Sequence, residues 1–194
     1  MSGSTVFLVV VGVLLVLGIG YGVVLYNRLV ALKHNVSQAW ANIDVLLKQR
    51  HDELPKLVEV CKQYMEYEQE TLSRVMRARA QVASAREHQD VGALGSAETQ
   101  LRLGLGQLFA VAEAYPDLKA NSNFQHLSDR VTALENSIAD RREYYNASVN
   151  LNNIRIEQFP DIVIARRYGF KPFGLLEFSE QETADVDLKG LFAG

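Results

Sequence analysis

The sequence predicts an all-α protein, with an N-terminal transmembrane helix followed by an antiparallel up-and-down four-helix bundle. Three observations carry that expectation. Charged residues make up 22% of the 194-residue chain, yet none precedes Arg28. From Leu29 onward apolar residues recur at steps of three and four, the period of a helix with one buried face. No segment alternates apolar and polar residues as a half-buried strand would. The expected order is a short external N-terminus (1–5), a transmembrane helix (6–26), the bundle (27–160), a short helix with an extended segment (161–174) and an acidic flexible tail (175–194).

Val6 to Leu25 comprises fifteen Val, Leu, Ile or Phe residues, four glycines and Tyr21. At about 1.5 Å per residue, this stretch spans roughly 30 Å, the thickness of a bilayer's hydrocarbon core. A cleaved signal peptide would have a basic leader and a shorter apolar stretch, whereas Met1-Ser2-Gly3-Ser4-Thr5 carries no basic side chain. The segment reads as an uncleaved anchor. Arg28, Lys33, Lys48 and Arg50 follow it against Asp44 alone, so the positive-inside tendency keeps that flank cytoplasmic and sends the short N-terminus across. Gly18 and Gly22, four residues apart, offer a groove for a neighbouring transmembrane helix.

The first body stripe runs Leu29, Leu32, Val36, Trp40, Ile43 and Leu47, and continues as Leu54, Val58, Cys61, Met65, Leu72, Val75 and Val82. Pro55 has no amide hydrogen to give a helix interior, and Asp52 is placed to cap a new first turn, so a reversal is expected there. Gly92 and Gly95, with Ser96 as cap, introduce the stripe Leu101, Leu105, Leu108, Ala112 and Tyr115. Pro116 ends it. Asn121 or Ser122 caps the last stripe, Phe124 to Phe159, which Pro160 ends. Segments of roughly 25, 35, 23 and 38 residues result, and short connections favour antiparallel neighbours. A long helix kinked at Pro55 in a three-helix arrangement is the alternative. Beyond Pro160, Asp161 to Arg167 reads as a short helix stopped by Gly169, and Lys171-Pro172-Phe173 as extended chain.

Composition excludes several function classes. The net charge of −3, from 20 basic and 23 acidic residues, is too balanced for a nucleic-acid binder. One cysteine, Cys61, permits no internal disulfide and no multi-cysteine zinc site. His34, His51, His88 and His126 are each preceded, three residues earlier, by a non-acidic residue, so the paired Glu-x-x-His of di-iron bundles is absent. No Gly-Lys-Ser/Thr phosphate loop and no Gly-x-Ser-x-Gly elbow occurs. No cofactor or metal is expected, and no enzyme. What remains is polar residues at helix ends and along the last stripe, where Arg141, Arg142, Tyr145, Asn146, Asn150, Asn152 and Asn153 crowd together. They read as an interhelical hydrogen-bond network or a recognition surface, with arginines as partners for Glu113 and Glu135.

Tyr26-Asn27-x-Leu29-Val30, Trp40-x-x-Ile43-Asp44, Arg50-x-Asp52-x-Leu54-Pro55, the run Glu113 to Asn121 followed by Asn123-Phe124, Glu135-Asn136-x-Ile138, Tyr145-Asn146, Phe159-Pro160 and Gly169-Phe170 together resemble the LemA family. Lys56 and Asn152 depart from that family's usual residues. The resemblance implies a bacterial inner-membrane protein with one N-terminal span, an external N-terminus and a cytoplasmic four-helix bundle; it supplies no catalytic residue, and it singles out Asp52, Glu113, Tyr115, Asn121, Glu135, Asn136, Arg142, Tyr145 and Asn146 as a polar network or recognition surface. The expected function is an interaction or scaffold module, whose partners are the lipid bilayer, other proteins and a possible second copy of itself. A small-molecule- or metal-binding enzyme and a self-assembling membrane organiser are the alternatives.

Overall fold

The computed structural model describes residues 3–177. Among them the chain forms six helices and no strand: α1 Gly3–Lys62, α2 Gln69–Glu87, α3 Val91–Ala112, α4 Pro116–Ala120, α5 Ser122–Glu157 and α6 Asp161–Tyr168. Over the described residues the protein is thus all-helical, and its first helix is apolar over its early turns. The break expected at Pro55 does not occur, and α1 continues through that residue.

Local chemistry explains the difference. A proline at position 55 leaves the His51 carbonyl without its usual donor four residues on. Arg79, from α2, supplies the missing hydrogen: its Nε donates to the His51 carbonyl at 2.9 Å, and its Nη2 donates to His51 Nε2 at 2.6 Å. Since a guanidinium only donates, that ring nitrogen accepts and His51 is neutral. Asp52 consequently caps nothing and lies exposed in mid-helix. The chain leaves the helix instead at residues 63–68, where Tyr64 and Met65 both donate to the Cys61 carbonyl, at 3.0 and 2.9 Å.

The later boundaries follow side-chain caps. Asp90, not Ser96, caps α3, accepting from the Ala93 amide at 2.9 Å. Pro116 stands in the first turn of α4, where its missing hydrogen is harmless. Asn121 caps α5, its Oδ1 accepting from the Asn123 and Phe124 amides at 2.9 and 3.1 Å. Gly169, at φ 71°, closes α6 in the left-handed conformation that glycine adopts without a steric penalty.

The described residues divide into two units. One takes residues 3–41 and 144–173. In it Leu29, Ile156 and Ala165 form a core, with Ile164 and Phe170 packed against it. Tyr26 lies edge-on to Phe170, centroids 5.9 Å apart, and 4.9 Å from Tyr168. The other takes residues 42–143 and the chain from 174. There α2 packs on α3, and the backbone of α3 at Gly104 approaches Val75 closely enough that a Cβ would sit 3.5 Å from its methyl group. Gly95 is tighter still: a Cβ there would lie 2.9 Å from the Glu177 carbonyl, so only glycine lets that segment pass. Most of the acidic tail expected from residue 175 lies outside the described residues; within them, Leu176 is buried.

Arg79→Met should lower stability by about 1–2 kcal/mol, since it strips the His51 carbonyl of its donor. In a Pro55→Ala background the loss should shrink, because an alanine at that position provides the amide that Pro55 lacks. Urea unfolding of the four variants, followed by circular dichroism in detergent micelles, checks this cycle; equal losses in both backgrounds would count against it.

Candidate functional site

The inward stripe of α1 runs Ile43, Leu47, Leu54, Leu57 and Cys61, and position 50 falls on it. The helical period therefore carries Arg50 into the core, where it is 1% exposed. On α3 the same logic places Glu98 between Leu94 and Leu101, and on α5 it turns Glu135 inward beside Leu134 and Ile138. Arg50 Nη1 donates to Glu135 Oε1 at 2.7 Å, and Nη2 donates to Glu98 Oε1. Arg102 Nε lies 3.8 Å from the other Glu135 oxygen. One turn along α1, the buried Glu53 meets Arg130 Nε at 3.2 Å and Lys56 Nζ at 3.3 Å.

Burial alone would favour a neutral Arg50, but the charges and hydrogen bonds of Glu98 and Glu135 outweigh it and hold the guanidinium above its ordinary pKa. This charge is permanent. Each group is committed to a partner of opposite sign, so the cluster holds helices together and presents no free base or nucleophile. Cys61 adds none, since burial pushes its thiol up to about 11 and leaves almost no thiolate at neutral pH. Among the described residues no group of three His, Cys, Asp or Glu side chains is placed to hold a metal ion.

The residues singled out from sequence do not converge. Glu135 joins the Arg50 cluster, whereas Glu113 is exposed and pairs with Lys119. Tyr115 donates its hydroxyl hydrogen to Glu68 Oε1 at 3.4 Å, and Asn121 Nδ2 donates to the Tyr64 hydroxyl at 3.0 Å, so both fasten the corner leading into α5. Asp52 and Asn136 are exposed, Arg142 is buried and Asn146 is half-buried. Tyr145 is buried with its ring set edge-to-face on Trp40, centroids 5.7 Å apart, and burial raises its phenol pKa. Gly18 faces open space; Gly22 faces Ile164 of α6, whose methyl group would lie 4.0 Å from a Cβ. Sequence reasoning missed Glu53, Arg79 and Glu98. The available signal was a charged residue standing at an inward position of an otherwise apolar stripe.

A second feature lies in the unit of residues 3–41 and 144–173. Asn153 Nδ2 donates to the Phe173 carbonyl at 2.9 Å and its Oδ1 accepts from the Phe173 amide at 3.0 Å, imitating a strand's pairing. The extended segment so held borders a cleft of about 440 Å³ lined by Tyr26, Lys33, His34, Tyr168, Phe170 and Lys171, among others.

The family model described as LemA family matches residues 39–189. Magnetosome protein MamQ 2 of Paramagnetospirillum magneticum is 27% identical over 172 residues, covering 75% of this chain and 62% of that protein. The Magnetospirillum gryphiswaldense magnetosome protein MamQ is 25% identical over the same shares. Protein LemA of Metamycoplasma hominis is 26% identical over 194 residues, 98% of this chain and 87% of its own. The chain thus spans less than two thirds of the magnetosome relatives.

Arg50→Met should cost about 3–5 kcal/mol, because two carboxylates are left facing each other in a buried site. Adding Glu98→Gln and Glu135→Gln should recover a large part of it, and chemical denaturation of the single and triple variants measures the difference. A second outcome concerns pH. Burial, and then the Arg79 charge, lower the His51 pKa. Its unfolded form binds a proton near pH 6.5, so its contribution is full above that value and fades as pH falls through the lowered folded value. The urea midpoint should therefore drop between about pH 7 and 5, with a shallower slope in His51→Gln.

Proposed function

The chain belongs to the LemA family, and from that premise we propose that it is a membrane-anchored helical interaction module, with no catalytic role of its own. The observation that carries this reading is the exposed apolar surface of the first part of α1. Leu8 is 69% exposed, Val16 70% and Ile19 68%, on a helix whose first charge is Arg28. Among the described residues α1 is the one helix long and apolar enough to cross a membrane. A surface of that kind is costly in water and favourable in a bilayer.

In this reading residues 6–26 span the bacterial plasma membrane, the short N-terminus lies outside and the chain after the span is cytoplasmic, as the basic residues after the span favour. The later part of α1 with α2, α3 and α5 forms an up-and-down four-helix arrangement. Support comes from Arg50 of α1 meeting both Glu98 of α3 and Glu135 of α5, and from α2 packing on α3. Other proteins meet this body, and a second copy is one candidate. A Cβ at Gly18 would meet nothing within 4 Å, which leaves room for another helix to approach closely there, whereas the other member of the expected pair, Gly22, already faces Ile164.

Full-length protein should resist carbonate extraction from membranes, and Leu14→Arg with Leu17→Arg should release it, since each arginine costs about 2.5–3.5 kcal/mol at a span's centre. Protease added to spheroplasts should spare the body. Crosslinking in those membranes should give a self-adduct that Gly18→Leu weakens. Extraction of the unaltered chain by carbonate would sink the anchor reading, and digestion from outside would reverse its orientation.

A further inference from the structure

The unit of residues 3–41 and 144–173 has a charge unlike the rest of the chain. It carries Arg28, Lys33, Arg155, Arg166, Arg167 and Lys171 against Glu157 and Asp161 alone, a net +4 in a protein whose net charge is −3. One of the two acids is already used: Asp161 is 3% exposed and lies 3.7 Å from Arg155 Nη1. The remaining balance at the surface is strongly basic. Arg28, Lys33, Arg166, Arg167 and Lys171 are all exposed.

Position matters as much as sign. The uncharged stretch of α1 ends at Asn27, and α6 packs against the turns that straddle that end. Ile164 faces Gly22, the Tyr168 and Phe170 rings meet Tyr26, and Ala165 packs with Leu29. A helix held beside residues 22 to 29 of a span sits at the level of the lipid headgroups. Its exposed side chains suit that level. Phe159 is 84% exposed, Val163 58% and Tyr168 62%, and such apolar and amphipathic aromatic groups favour the boundary between hydrocarbon and water. The cleft that adjoins them adds Lys33, His34 and Lys171 to Tyr26 and Phe170.

We propose that α6, the Gly169–Phe173 segment and the cleft beside Tyr26 form a collar that binds the phosphate headgroups of anionic phospholipids in the leaflet where the span ends. The apolar side chains enter the boundary, Arg166 and Arg167 lie over the headgroup layer, and the cleft takes a headgroup between Lys33 and Lys171. The proposal rests on the anchor reading above and adds lipid selectivity to it. Basic residues at an anionic surface act roughly additively, so the preference should fall stepwise as they are removed.

The test uses the full-length chain reconstituted in phosphatidylcholine vesicles with a minor share of phosphatidylglycerol. Tyr168→Trp in a Trp40→Phe background places one indole in the collar. Brominated phosphatidylglycerol should quench it with about fivefold higher apparent affinity than brominated phosphatidylcholine. Arg166→Gln, Arg167→Gln and Lys171→Gln together should bring the two lipids close to parity, with helix content by circular dichroism unchanged because all three side chains are exposed. Inorganic phosphate, added against chloride of equal ionic strength, should leave the preference intact; its loss would make free phosphate the occupant and overturn the lipid assignment. Equal quenching by the two lipids in the indole-bearing protein before the triple substitution, or a preference that survives that substitution, would overturn the proposal while leaving the anchor in place. Quenching by neither lipid would remove the anchor reading, and the collar with it.

Discussion

Arg50 is the constraint on which the unit of residues 42–143 depends. A guanidinium taken out of water is costly, and that cost is offset only where carboxylates meet it in good geometry. Here two helices each contribute one: Glu98 from α3 and Glu135 from α5 converge on the two terminal nitrogens. Apolar contacts tolerate sliding, because one methyl group replaces another at small loss. A fork of two donors that must find two separate acceptors does not, so a shift of one helical turn in either partner would leave a charge unpaired in the core. The surrounding leucines, Leu47, Leu54, Leu101 and Leu134 among them, supply the burial that drives the helices together. Arg50 determines the register in which they meet.

The same logic explains which parts of the fold were legible in the sequence. The stripe from Leu29 to Cys61 was readable because helical period is a local property, and so were the Asn121 cap and the Gly169 stop, each decided within a turn. Pro55 was not. The rule that proline interrupts a helix is sound for an isolated segment, where the freed carbonyl finds only water. In the folded chain Arg79 stands beside that carbonyl, and nothing in the sequence near residue 55 announces a donor twenty-four residues away. The cluster was half legible for a related reason. Glu135 falls in a motif, but Glu98 and Glu53 look like ordinary members of a solvated helix face until the inward phase of each helix is known. Charged residues at buried positions are rare enough that sequence reasoning assigns them to the surface by default.

Average properties concealed the division of charge. A net −3 over the whole chain suggests no electrostatic preference, yet the residues beside the apolar stretch are basic and the acidic excess lies elsewhere. Screening confines the influence of an exposed charge to about 8 Å at physiological salt, so a surface responds to the charges within its reach and not to the sum over the chain. For the residues beside the end of the apolar stretch, the relevant quantity is the local balance at that end.

The asparagines of α5 show how that end is fixed in place. Asparagine is a poor helix former, and a helix bearing Asn146, Asn150, Asn152 and Asn153 gives up propensity that leucine or glutamate would supply. Asn153 returns the loss through both of its polar atoms, each bonded to the backbone of Phe173, so that an extended segment with no strand to join has its donor and acceptor satisfied by a side chain. Asn152, buried one residue earlier, donates to Asn153 Oδ1 at 3.2 Å and so orients the amide that makes this clamp. Gly169 turns the chain out of α6, and Asn153 catches it four residues later. Between those two points Phe170 is pressed toward Leu29 and Tyr26, and Lys171 is brought to the cleft. Without the clamp, the residues after Gly169 would have neither helix nor strand to hold them, and the aromatic and basic groups beside the end of the apolar stretch would lose their fixed arrangement.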